Sequence, residues 1–285
     1  MKKILNPKLL PLIVILCSIL GLGLRFWTLG SGPDEKGLYP SQPLAWTLLW
    51  LFTAGVFALI FLTASRLKKP GSFEDNYPAS IPAAVGTAIA AVSFLVGGGQ
   101  LFLEKKDVLD IITALLGVAS GGVLLPAAYA RLKGSKPFFL FHGIPCLYLA
   151  LKVFNQCQVW SNEPQIGTFV FPFLASLGVM LALYQRTCFD VGLGNRRLSV
   201  LWSLGSVYLC IIAMLSFQDQ LFYGATAIWL TADLCSLRPL NKRKAPQRAA
   251  PREEAPQSPN IDIDPPSELR PEDMSIDQLK DWLEN

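Results

Sequence analysis

Runs of about twenty apolar residues recur along the chain, each long enough to cross bilayer hydrocarbon as a helix. Eight segments qualify: roughly residues 9–29, 43–65, 81–103, 108–130, 137–158, 166–185, 198–216 and 220–237. The second and third are the clearest. Residues 44–65 hold no charge, and Gln100 is the strongest polar group within 81–103. In hydrocarbon every backbone amide and carbonyl must be bonded within the protein, so only helices or a closed barrel can span. The runs lack the alternation of barrel strands. The fold class is therefore all-α, a polytopic transmembrane helix bundle. The last two segments are short and joined by the turn at Gln218-Asp219-Gln220, so a re-entrant hairpin is the alternative there.

The charges test this count independently. Lys and Arg gather in every second connection: Lys2, Lys3 and Lys8; Arg66, Lys68 and Lys69; Arg131, Lys133 and Lys136; Arg186, Arg196 and Arg197; then Arg238 and the basic stretch that follows it. The intervening connections hold Arg25, Lys36, Lys105, Lys106 and Lys152, with Glu104 and Asp107 flanking the lysine pair. Cytoplasmic loops collect basic residues. Eight predicted spans with both termini cytoplasmic satisfy that rule; seven would carry the polybasic tail outside.

Composition agrees, with 52% hydrophobic and 16% charged residues, against about 25% charged in soluble chains. It excludes a soluble enzyme, a secreted disulfide scaffold or a nucleic-acid-binding domain as the main body. Lys2-Lys3 before an apolar run resembles the start of a signal peptide, but no small-x-small cleavage site follows, so the first segment reads as an uncleaved span. The six cysteines form no CxxC pair and there is one histidine, so neither a metal site nor a cofactor is expected. The cysteines read as small apolar fillers. Leu16 before Cys17 is too large for a lipoprotein site. The absence of N-x-S/T sequons is compatible with a bacterial cell membrane.

Small residues predict one packing surface. Gly86, Ala90, Ser93 and Gly97 share a face of the third span, and the fourth carries Ala114, Gly117, Gly121 and Ala128. Small faces let membrane helices approach closely. The short connection makes these spans antiparallel neighbours, so the two faces are expected to meet in a hairpin. Pro126, Pro145 and Pro172 fall inside spans four to six and predict kinks, which could border a cavity.

Ionisable groups at membrane depth are costly and raise the question of function. Span five holds His142, Tyr148, Lys152, Asn155 and Gln156, of which all but the histidine form a stripe. Span eight holds Tyr223, Thr226 and Asp233 on one face. The simplest reading lets Lys152 snorkel to the interface near Trp160 and Glu163, and pairs Asp233 with Arg238. The functional reading pairs Asp233 with His142 for proton handling. Asp110 reads as an interfacial residue at a helix N-terminus. In the loop 190–197, Gly192, Gly194, Arg196 and Arg197 could receive a lipid headgroup or simply make a basic turn. G-x-S-x-G, HExxH and P-loop patterns are absent.

Residues 240–285 are a different material. Prolines at 246, 251, 256, 259, 265, 266 and 271 accompany a basic stretch over 242–252 and an acidic one over 253–285. Such a segment buries too little apolar surface to offset its ordering entropy. Residues 240–274 thus read as a disordered linker after a bundle spanning 1–239. Residues 275–285 read as a short amphipathic helix, capped by Ser275, with Ile276, Leu279 and Leu283 aligned and Trp282 beside them. That end suits docking to a cytoplasmic protein. The expected partners are the lipid bilayer and that protein, with no nucleic acid. Two functions fit. One is a non-enzymatic scaffold or regulatory membrane protein with a docking tail. The other is a small-molecule permease or intramembrane lipid-acting enzyme using a cavity among spans four to eight.

Overall fold

The computed structural model describes residues 9–30, 43–67, 73–104, 107–160, 166–216 and 219–238. The tail, with Ile276, Leu279, Trp282 and Leu283, lies outside the described residues. The elements are α1 (Leu9–Gly30), α2 (Pro43–Ser65), α3 (Phe73–Asn76), α4 (Ile81–Glu104), α5 (Val108–Lys133), α6 (Leu140–Trp160), α7 (Ile166–Val191), α8 (Arg196–Ala213) and α9 (Gln220–Cys235). Among the described residues there is no strand. All but the one-turn α3 coincide with the eight apolar segments.

Six of these helices, α1, α2, α4, α5, α7 and α8, are long and apolar enough to cross a membrane. The other two long helices fall short for identifiable reasons. α9 has 16 residues, about 24 Å against roughly 30 Å of hydrocarbon. α6 carries His142, Lys152, Asn155 and Gln156.

α5 and α7 run three and six residues past the ends that apolar content alone marks, to Lys133 and Val191. The extra turns carry Arg131, Arg186 and Asp190, which are buried, not looped out. Helix continues there because these side chains find partners inside the bundle. Pro126, Pro145 and Pro172 likewise lie within unbroken helices.

α8 packs against α1, α2, α7 and α9, and α4 against α5 and α9. The shared core includes Phe94, Tyr148, Val179, Leu204, Tyr208, Phe222 and Tyr223. Each of the six cysteines is free. Cys146 Sγ donates to the Met180 carbonyl at 3.6 Å, tying α6 to α7.

The α4–α5 hairpin is the closest helix pair, but only half of the predicted face makes it. A Cβ on Gly117 would fall 2.8 Å from Gly98 Cα, and one on Gly121 would fall 2.7 Å from the Ala91 carbonyl. The α4 residues meeting α5 are thus Ala91, Leu95 and Gly98. Gly86 instead faces α9, where Trp229 Cα is 3.1 Å from its added Cβ, and Gly97 faces Tyr148 of α6. Ala90 is fully buried in the shared core. α4 is small on two sides because it packs closely on two sides; the spacing rule found one stripe and assigned it to the nearest partner in sequence.

Candidate functional site

Charged side chains gather at the two ends of the bundle. At one end, here the arginine end, Asp233 of α9 is shared by two guanidinium groups. Arg131 Nη2 of α5 donates to Asp233 Oδ1 at 2.9 Å. Arg186 of α7 approaches both carboxylate oxygens, with Nη1 2.8 Å from Oδ2 and Nη2 donating to Oδ1 at 3.3 Å. Arg131 also donates to the Pro78 carbonyl at 3.1 Å and to Ser236 Oγ at 2.7 Å.

The connection from α2 to α4 closes this end. Phe73, Asn76 and Tyr77 are buried. The Arg186 guanidinium carbon stands 3.5 Å from the Tyr77 ring centroid, and that of Arg131 stands 5.1 Å away. Guanidinium groups over an aromatic face gain about 0.5–2 kcal/mol each. Arg196, at the start of α8, donates to Asn76 Oδ1 at 3.2 Å and to the Arg238 carbonyl at 2.8 Å. Tyr77 Oη lies 3.1 Å from Ser199 Oγ. The short α3 with its following turn is therefore gripped by α5, α7 and α8.

His142 and Asp233 do not form the pair that the functional reading requires, and among the described ion pairs the Arg238 side chain is not a partner of Asp233. His142 Nδ1 lies 2.6 Å from Asp190 Oδ2, and its ring stacks on Trp229 at 6.4 Å. Both members of the His142–Asp190 pair are buried. Asp233 is drawn instead to the arginines, and Arg238 contributes backbone atoms to the cluster. Arg131 Nε, Arg186 Nε, Arg196 Nε and Asp190 Oδ1 are buried with no hydrogen-bond partner in the protein.

The other end is the lysine end. Lys152 Nζ pairs with Asp219 Oδ2 at 2.8 Å and lies 4.6 Å from the Phe222 ring centroid. Lys152 is therefore held at the N-terminal end of α9, by its N-cap Asp219 and by Phe222, and not extended away from the bundle. Asp219 adopts φ 63, a left-handed conformation that Asp tolerates better than most residues. Tyr223 Oη donates to the Pro172 carbonyl at 3.2 Å and lies 3.3 Å from Ser176 Oγ. Asn155 Nδ2 donates to Asp110 Oδ1, and the Asp110 Oδ2 accepts the Asp107 amide at 3.3 Å. Tyr148 packs against Phe94 and lies beside Gly97 and Gly117. Gln156 Oε1 and Thr226 Oγ1 have no protein partner.

The seven residues of the expected polar cluster thus divide. Tyr148, Lys152, Gln156 and Tyr223 belong to the lysine end, and His142 and Asp233 to the arginine end. Thr226 lies between. Arg131, Arg186, Asp190, Asp219 and Tyr77 escaped the sequence reading because each looked like a loop residue. One signal was available: Arg186 and Asp190 are four apart, which is a helical spacing.

The loop between α7 and α8 is built for turning. Gly192 has φ 94, and an added Cβ on Gly194 would fall 2.2 Å from the Phe189 ring. Asn195 caps α8 by accepting from the Arg197 amide at 3.1 Å. Arg196 is engaged as above, and Arg197 Nε donates to the Leu67 carbonyl. Gly192 thus serves the turn, Gly194 the close approach of Phe189, and both arginines bond within the protein. Among the described residues, no three His, Cys, Asp or Glu side chains gather to hold a metal ion.

Comparison with protein-family models, curated proteins and solved structures finds no match. The class is set by the fold itself. An all-helical bundle with six helices long and apolar enough to cross a membrane fits an integral membrane protein.

Proposed function

We propose that this is an eight-span protein of a bacterial cell membrane, with both termini cytoplasmic, acting as a non-enzymatic scaffold or regulator through its tail. One observation carries this reading. The embedded charges engage one another instead of converging on a shared cavity: Lys152 with Asp219, Asp233 with Arg131 and Arg186, His142 with Asp190. Side chains so engaged hold helices together. The segment left for partner capture is the tail, with 240–274 as tether and 275–285 as docking end. α6 and α9 complete the count of eight because each lies between longer helices, α6 between α5 and α7, α9 between α4 and α8.

Removing residues 275–285 is expected to leave membrane insertion and thermal stability unchanged while abolishing capture of a cytoplasmic protein in pull-downs with the full-length bait. Leu279→Ala with Trp282→Ala should behave like the truncation. A truncated protein that still captures the same partner would sink the docking role. The topology has its own test. In a cysteine-free background, single cysteines at positions 36 and 133 should label from opposite sides of the membrane; labelling from one side rejects eight spans.

A second reading, a small-molecule permease or intramembrane lipid-acting enzyme, draws on the unpartnered donors of Arg131, Arg186 and Arg196. It requires that a folded Arg186→Met protein lose transport or turnover. The scaffold reading assigns no such loss.

A further inference from the structure

Ser236, Leu237 and Arg238 follow α9 and are the last described residues before the tail. This root of the tail meets residues 73–80, the strap that closes the arginine end. The Arg238 amide donates to the Asn76 carbonyl at 3.0 Å, joining the two segments directly.

Two arginines reinforce that joint in the same way. Each holds the strap with one terminal nitrogen and the root with the other. Arg131 Nη1 donates to the Pro78 carbonyl at 3.1 Å, and its Nη2 donates to Ser236 Oγ at 2.7 Å. Arg196 Nη1 donates to Asn76 Oδ1 at 3.2 Å, and its Nη2 donates to the Arg238 carbonyl at 2.8 Å. A guanidinium is planar and rigid, so its terminal nitrogens hold their acceptors at a set separation. Both arginines are buried, and a buried charged donor that loses its acceptor is costly. Lifting the strap alone, or the root alone, leaves each guanidinium half bonded beneath the segment that stays.

The strap covers more than these two arginines. The Tyr77 ring stands 3.5 Å from the Arg186 guanidinium carbon and 5.3 Å from the Phe189 ring. Its hydroxyl, 3.1 Å from Ser199 Oγ, ties the strap to α8. The Ser80 amide donates to the Arg131 carbonyl at 3.2 Å, tying it to α5.

We infer that the strap and the root of the tail form a single latch over the arginine end and open together. A partner's pull on the tail enters at Arg238 and, through the shared arginines, lifts the strap from Arg186. That consequence rests on the docking role proposed for the tail; the latch itself does not.

Hydrogen exchange of the full-length protein in lipid nanodiscs, with no partner present, tests the latch. Ser236→Ala changes the root alone and removes one acceptor of Arg131. Tyr77→Phe changes the strap alone, removing the bond to Ser199 and keeping the ring. The Tyr77 and Ser80 amides, bonded to the Phe73 and Arg131 carbonyls, report on the strap. The Ser236 and Leu237 amides, bonded to the Ala232 and Leu234 carbonyls, report on the root. Each variant should speed exchange about three- to tenfold, as the loss of one hydrogen bond allows, and by the same factor in both segments. Amides in the middle of α4 should keep their protection, since local opening leaves the rest of a fold closed. Acceleration confined to the substituted segment, acceleration in neither, or acceleration that spreads through α4 overturns the inference. A tail that captures no partner leaves this result untouched, and uncoupled exchange leaves the pull-down result untouched.

Discussion

Asp233→Asn is expected to destabilise the bundle more than any other single side-chain change at its ends, by about 3–5 kcal/mol. Two guanidinium groups share this one carboxylate, and their side chains are only 1% and 7% exposed. Neutralising it leaves both cations buried without an ionic partner. Tyr77 still faces them, but a ring offsets only part of a full charge. Folded proteins hold a margin of about 5–15 kcal/mol, so the loss is a large fraction of it. Adding Arg186→Met should recover part of the stability, and adding Arg131→Met as well should recover most. Charge pairs replaced whole by apolar groups are commonly neutral. Apparent melting temperature in detergent, read along this series, is the measurement. An Asp233→Asn protein as stable as wild type would show that the cluster carries little structural weight.

Gly98→Leu is the second large effect. An added Cβ there would lie 2.6 Å from the Val118 amide nitrogen, 2.8 Å from the Gly117 carbonyl carbon and 2.9 Å from the Ala114 carbonyl oxygen. All three are backbone atoms, which no rotamer change can move aside. The helices must separate along the hairpin, at a cost at or above the upper end of the usual 1–3 kcal/mol for overpacking. Gly121→Leu meets the Leu95 side chain at 2.4 Å and the Ala91 carbonyl at 2.7 Å, so it should also destabilise, though Leu95 can partly yield. Gly99→Leu is the control. Nothing lies within 4 Å of its added Cβ, and leucine favours helix over glycine by about 0.8–1 kcal/mol. Its melting temperature should hold or rise. Equal losses at positions 98 and 99 would mean that helix–helix distance is not what these glycines serve.

Which parts of this were legible in the sequence follows from what each signal measures. Apolar run length located all eight long helices, because the hydrocarbon demand acts on each segment separately. It placed the ends of α5 and α7 too early, because Arg131, Arg186 and Asp190 satisfy that demand through partners far away in sequence. Small-residue spacing marked Gly117 and Gly121 of α5, which do pack tightly on α4, but it missed Gly98, the α4 glycine that meets Gly117. It could not say that Gly86 meets α9 and Gly97 meets α6, since a stripe names a face and not its neighbour. His142, Lys152 and Asp233 stood out in the sequence as ionisable groups within apolar runs. Their pairing was not readable: His142 had two carboxylates at similar depth, and Asp190 was hidden in what looked like a loop. α3 and the turn after it carried no warning in their short, polar sequence that Phe73 and Tyr77 would be buried.

The arginine end also imposes an order on how the chain can be made. Arg131, Arg186 and Arg196 leave the ribosome before Asp233. In the proposed orientation they first serve as cytoplasmic charges that hold α5, α7 and α8 to one direction of insertion. Arg131 and Arg186 cannot settle into their final places until α9 delivers the shared carboxylate, nor Arg196 until the chain beyond it delivers the Arg238 carbonyl. In that orientation the same guanidinium groups would act as topology markers early in synthesis and as packing partners at its end. A chain stopped before α9 would leave them soliciting water at the membrane face, an unfinished surface open to quality-control proteases.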